Sequence, residues 1–154
     1  MSRVRRALFP AVLVPLALLA APARAQAPAG RSLYERVGGA PALKAVVDDF
    51  VKAAAPDPAV DFTRGGAWVA SEAAVQTLKK HLVDFMAEAL GGPKAYGGRS
   101  MKAAHAGMGI TRAQFDALAG HLQAALVKHK VAAADVAAIM KIAAGTAADI
   151  VEKP

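Results

Sequence analysis

The chain has 154 residues, 55% of them apolar, no cysteine and a formal net charge of +7; it suits one globular domain and excludes disulfide stapling and the Cys-x-x-Cys-His attachment of a c-type cytochrome. The first 25 residues hold four of the 19 basic side chains and none of the 12 acids, so the remainder carries 15 against 12, a net +3. No basic stripe with interleaved aromatics is left there, and nucleic acid is not expected as a partner.

Arginines at 3, 5 and 6, an apolar run from Ala7 to Ala20 and the Ala23-Arg24-Ala25 step have the three-part layout of a secretory signal peptide cut after Ala25. The run is shorter than the roughly 20 residues that a spanning helix needs, and Pro10 and Pro15 interrupt it. The expectation is an exported, periplasmic protein with no stable membrane anchor after cleavage. Residues 26–31 read as a linker, and 32–152 as the folded domain.

Ser32 to Arg36 can make one helical turn before Gly38-Gly39 breaks it. A helix then starts around Pro41, which lacks the N–H that a first turn does not use. Its apolar positions Leu43, Val46, Val47, Phe50, Val51 and Ala54 follow the 3-4 spacing of a core-facing stripe, and Pro56 and Pro58 end it. Residues 59–70, with Phe62, Arg64 and Trp68, have no period and read as a loop. Ser71 is a good N-cap for a second helix with the stripe Val75, Leu78, Leu82, Phe85 and Ala89, stopped by Gly91-Gly92-Pro93. On its outer face Lys80 and Asp84 are spaced to pair.

From Gly91 to Phe115, glycines at 97, 98, 107 and 109 surround a short irregular helix that carries His105. Thr111 and Gln114 form a capping box that opens a third long helix, with Phe115, Leu118, Leu122, Ala125 and Leu126 inward and an end near Lys128-His129-Lys130. A last helix over 133–151 turns Val136, Ile139, Met140, Ala143, Ala147 and Ile150 inward. Four long helices and no convincing strand make an all-α domain.

Four histidines are the candidate metal ligands. By spacing, His81 borders its helix's apolar stripe, His105 reads first as a polar residue in a surface connection, His121 as a rim residue and His129 as solvated. Asp48-Asp49 read as a solvated pair. No HExxH, nucleophile elbow, Walker loop or EF-hand pattern is present.

The runs Leu33-Tyr34-Glu35-Arg36-Val37-Gly38-Gly39, Asp48-Asp49-Phe50 and Ala89-Leu90-Gly91-Gly92-Pro93 are followed by Tyr96, Arg99-Ser100-Met101, His105-Ala106-Gly107-Met108-Gly109-Ile110-Thr111 and Phe115-Asp116. In this order and spacing the chain resembles the truncated haemoglobins of the first group, from about Leu33 to Val151. The resemblance implies a two-over-two helical sandwich holding haem b, with His105 as the proximal iron ligand. It implies further that Phe50, Phe62, Leu78, Phe85, Tyr96, Met101, Met108, Ile110 and Phe115 line the porphyrin.

Two distal positions depart from the family pattern: Val51 stands where tyrosine is common, and Leu82 where glutamine is frequent. His81 matches the place from which some cyanobacterial members bind iron as a second axial histidine. Arg64, Lys79 and Arg99 are candidates for the haem propionates. The implied function is reversible binding of O₂, NO or CO, with a bis-histidyl iron and a redox or electron-transfer role whose partner the sequence does not name. NO dioxygenase or peroxidase-like catalysis is the alternative, and a haem-free helical interaction module is the reading of a different class.

Overall fold

The computed structural model describes residues 30–153; the expected leader, 1–25, lies outside the described residues. α1 (Leu33–Val37) is a single turn whose start is closed by a reciprocal cap. The Ser32 hydroxyl accepts the Glu35 N–H at 3.2 Å, and the Glu35 carboxylate accepts the Ser32 N–H at 2.8 Å, which satisfies two of the N–H groups that a helix start leaves open. Gly38, at φ 107°, turns the chain into α2 (Gly39–Ala54), which buries all six residues of its expected stripe.

Residues 55–71 wind through turns rather than a helix. Arg64 holds them together, donating to the Val60 and Asp61 carbonyls and, at 3.2 Å, to the Gln114 side chain. Ser71 caps α3 (Glu72–Ala89). Beyond its end the chain passes so close to α1 that a Cβ on Gly92 would stand 2.6 Å from the Tyr34 ring and 2.8 Å from the Ala87 carbonyl.

α4 (Met101–His105) and α5 (Arg112–Lys128) follow, the second opened by the Thr111–Gln114 box. The last helix, expected as one piece over 133–151, is two: α6 (Ala133–Gly145) and α7 (Ala147–Ile150). Glycine is a poor helix former, and the Thr146 hydroxyl donates back to the Ala143 carbonyl at 2.7 Å, a local bond that competes with the helical ladder.

α2 packs on α3 and on α5, and α5 on α6, so one helix pair lies over the other in a two-over-two sandwich. α1 bridges α2 and α6. Its Arg36 Nε donates to the buried Asp135 of α6 at 2.9 Å. The described residues contain no strand, only an isolated bridge between Thr111 and Lys153, and among them no helix is long and apolar enough to cross a membrane.

The surface ties refine one expectation and correct another. Asp48 and Asp49 lie at the surface, as expected, and are each paired there: Asp48 meets Lys44 at 3.1 Å and Lys79 at 3.0 Å, while Asp49 meets Lys128 at 2.9 Å. His129 Nε2 also lies 2.7 Å from Asp49, so that ring is half-buried instead of solvated. His121 is engaged in the same way with Asp57, at 2.7 Å. Lys80 and Asp84 pair as their spacing predicts, at 2.5 Å.

Candidate functional site

α4 has five residues and buries none of them. A helix this short has too few hydrogen bonds to offset its nucleation cost, so its surroundings hold it. Ser100 caps it, accepting the Ala103 N–H at 3.2 Å, and α7 packs against it.

His105 closes the turn, with Nδ1 2.7 Å from the Met101 carbonyl. A carbonyl only accepts, so Nδ1 carries a proton, and in the neutral imidazole Nε2 is then the nitrogen with the lone pair. This is how ligating imidazoles are oriented, the second nitrogen's hydrogen bond fixing the tautomer and the ring. Next come Gly107 and Gly109, at φ 78° and 62°, with Met108 between them, 41% exposed.

α3 lies in the other helix pair, packed on α2. Its Leu78, Leu82 and Phe85 are half-buried, and His81 is exposed. The His81 ring stands at 89° to Tyr96 with centroids 6.0 Å apart, and Tyr96 in turn meets Phe85 at 5.4 Å. The Tyr96 hydroxyl donates to the Arg99 carbonyl at 2.7 Å, which closes a local turn beside the ring contacts that reach α3. Phe50 and Val51 are buried on α2, and Phe115 is buried at the start of α5. Met101 and Ile110 are half-buried, and Phe62 packs edge-on against Trp68.

Two cavities of about 420 and 500 Å³ lie between α2 and α3; Val51 and Phe62 reach the first, both share Asp48 and Lys79, and neither histidine lines either of them. Two of the propionate candidates are committed elsewhere. Arg64 is spent on loop carbonyls and Gln114, and Lys79 on Asp48. Arg99 has an exposed side chain.

A contact without any sequence signal lies behind α4: Glu152, on the C-terminal tail, accepts the N–H groups of Gly107 and Gly109 at 2.7 and 2.6 Å. Those two donors, Gly107 first, hold its carboxyl below the usual carboxylate range.

The residues fit a haem. Among the described residues no three His, Cys, Asp or Glu side chains cluster to hold a metal by themselves. An iron held through His105 would need its other ligands from a group such as a porphyrin. An Nε2 with its lone pair available, and apolar side chains on α2, α3, α4 and α5, suit that group.

Residues 32–152 match the bacterial-like globin family. Among similar proteins are a group 1 truncated haemoglobin of Mycolicibacterium paratuberculosis, 38% identical over 77% of this chain and 83% of its own length, and one of Nostoc sp., 37% identical over 71% and 87%. The solved truncated haemoglobin of Tetrahymena pyriformis in its Fe(III) form superposes with a TM-score of 0.71, at 31% identity, covering 80% of this chain and all of that one. The chain thus belongs to the bacterial-like globins, as a group 1 truncated haemoglobin that binds haem b and, through it, diatomic gas ligands.

Proposed function

We propose that His105 holds the haem iron on one side and His81 on the other in the ligand-free protein. His81 gives way when O₂, NO or CO binds. What supports this reading is the set of residues at the positions that the resemblance makes distal: Val51, Leu78 and Leu82 offer no hydrogen-bond donor, and His81 directly precedes Leu82 on α3.

A gaseous ligand arriving on this side forgoes donor hydrogen bonds worth on the order of 1 kcal/mol each. It also competes with a side chain already in place, which lowers its apparent affinity in proportion to the fraction of protein in which His81 has moved away. Haem, when bound, would supply a redox-active iron that can take imidazole and gaseous ligands. The chain's part is to orient His105 through Met101 and to keep His81 within reach, against the edge of Tyr96.

Absorption spectra of the ferrous protein test the reading. Sharp, split visible bands are the expected result, and a broad single band would falsify the six-coordinate state. His81→Ala should convert the first spectrum into the second and speed CO binding, whereas His105→Ala should weaken haem retention. We also infer export, supported by the three-part leader over residues 1–25. A secreted product whose sequence starts at Gln26 is the expected result, and an uncleaved protein retained in the cytoplasm would overturn it.

A further inference from the structure

The segment that follows His105 is clasped from behind by the end of the chain. One carboxylate oxygen of Glu152 accepts the Gly107 N–H at 2.7 Å and the other accepts the Gly109 N–H at 2.6 Å. The Glu152 and Lys153 N–H groups both donate to the Ile110 carbonyl, at 2.9 and 3.2 Å, and the Lys153 carbonyl accepts the Arg112 N–H at 3.1 Å. Gly107 and Gly109 both have positive φ, a geometry that turns nearby N–H groups toward a common anion. A Cβ on Gly109 would come within 3.2 Å of the Lys153 side chain.

This clasp matters because of what α4 lacks. The turn buries no side chain of its own, so the bond from Nδ1 to Met101 fixes the ring relative to the turn, and where the turn stands is left to its packing on α7 and to the contacts that follow His105. Hydrogen bonds to a charged acceptor are roughly twice as strong as neutral ones, and Glu152 places two of them within a few residues of His105. The tail's remaining hydrogen bonds begin only at Ile110.

We propose that Glu152 is a positioning residue for the proximal iron bond: by clasping Gly107 and Gly109 it sets the height and tilt at which His105 meets the haem, and so the strength of that bond. The inference rests on His105 as the proximal ligand. It assigns the end of the chain a part in tuning the iron.

Resonance Raman spectroscopy of the ferrous protein, in the His81→Ala background, reads the iron–histidine stretch directly. Glu152→Ala is expected to shift that band and to make haemin transfer to apomyoglobin several-fold faster. Glu152→Gln, which keeps one acceptor oxygen, should fall between it and the parent, and Lys153→Ala, which leaves the backbone contacts in place, should match the parent. An unchanged band and unchanged haemin loss in Glu152→Ala overturn the proposal; if that variant does not fold, Glu152→Gln decides by the same two readouts. His105→Gly in the same background separates the two claims. Loss of the band, restored by added imidazole, supports the proximal assignment, while a band that survives removes that assignment whatever the Glu152 variants do.

Discussion

α2 and α3 carry apolar stripes of the same period, and the structure covers them differently. α2 lies between α3 and α5 and buries Leu43, Val46, Val47, Phe50, Val51 and Ala54. α3 packs chiefly on α2; of its side chains only Met86 and Ala87 are buried, while Val75, Leu78, Leu82 and Phe85 stay half-covered. A 3-4 period says that a face will be covered, and it is silent on what covers it. In a haem-binding globin the uncovered face of α3 is one that a large apolar disc can complete, because removing that area from water is favourable whether the cover is protein or cofactor.

The largest effect should come from the protein-filled half. Leu43 is fully buried, so Leu43→Ala is expected to lower the unfolding free energy by about 3 kcal/mol, the sum of lost transfer energy and a cavity. Urea unfolding should show the same loss with and without haem. Phe85→Ala removes a side chain that the protein only half covers and should cost the apoprotein about 1 kcal/mol while making haemin loss markedly faster. Equal costs in the apoprotein, with unchanged haemin loss, would abolish the distinction between the two stripes.

Next in size is the tie between α1 and α6. Arg36→Ala leaves Asp135, 8% exposed, without the guanidinium that holds it. An orphaned buried carboxylate is costly, and a loss of about 2 kcal/mol is expected. This contact belongs to the protein-filled half, so haem content at saturation should match the parent. A variant that keeps its urea midpoint but sheds haem would move α1 to the cofactor side.

How much of this could be read in the chain depends on the distance over which each feature is encoded. The caps at Ser71 and Thr111 and the stripe of α2 were legible because they are fixed within a few residues by spacing and side-chain type. The break at Thr146 is local too, but it turns on a hydroxyl choosing a backbone carbonyl, which the apolar pattern does not record. His105 stayed ambiguous by spacing alone, since the bond from Nδ1 to Met101 exists only if residues 101–105 form a turn. The partners of Asp49 and Glu152 were illegible: His129 lies 80 positions from the first, and Gly107 lies 45 from the second. Contacts of that range are decided by how helices pack.

The smallest effects belong to neighbouring carboxylates that serve the two halves separately. Asp48 joins α2 to α3 through Lys79, and Asp49 joins α2 to the end of α5 through Lys128 and His129. Hydrogen bonds from Lys79 and then Lys44 hold the Asp48 carboxyl below the usual range, and those from Lys128 and then His129 do the same for Asp49. With the native pKa depressed, the unfolded chain takes up its proton first as acid is added. Each carboxylate therefore contributes stability above the unfolded range, about pH 4, and loses it as the pH falls through its native value. Both groups are at the surface, where ion pairs contribute little, so Asp48→Asn and Asp49→Asn should each lower the urea midpoint slightly at pH 7 and converge with the parent below that window. Their difference should appear in the haem: loosening α3 through Asp48→Asn should speed haemin loss modestly, whereas loosening α5 through Asp49→Asn should leave it unchanged. Faster loss from Asp49→Asn alone would place the cofactor's support on α5 rather than α3.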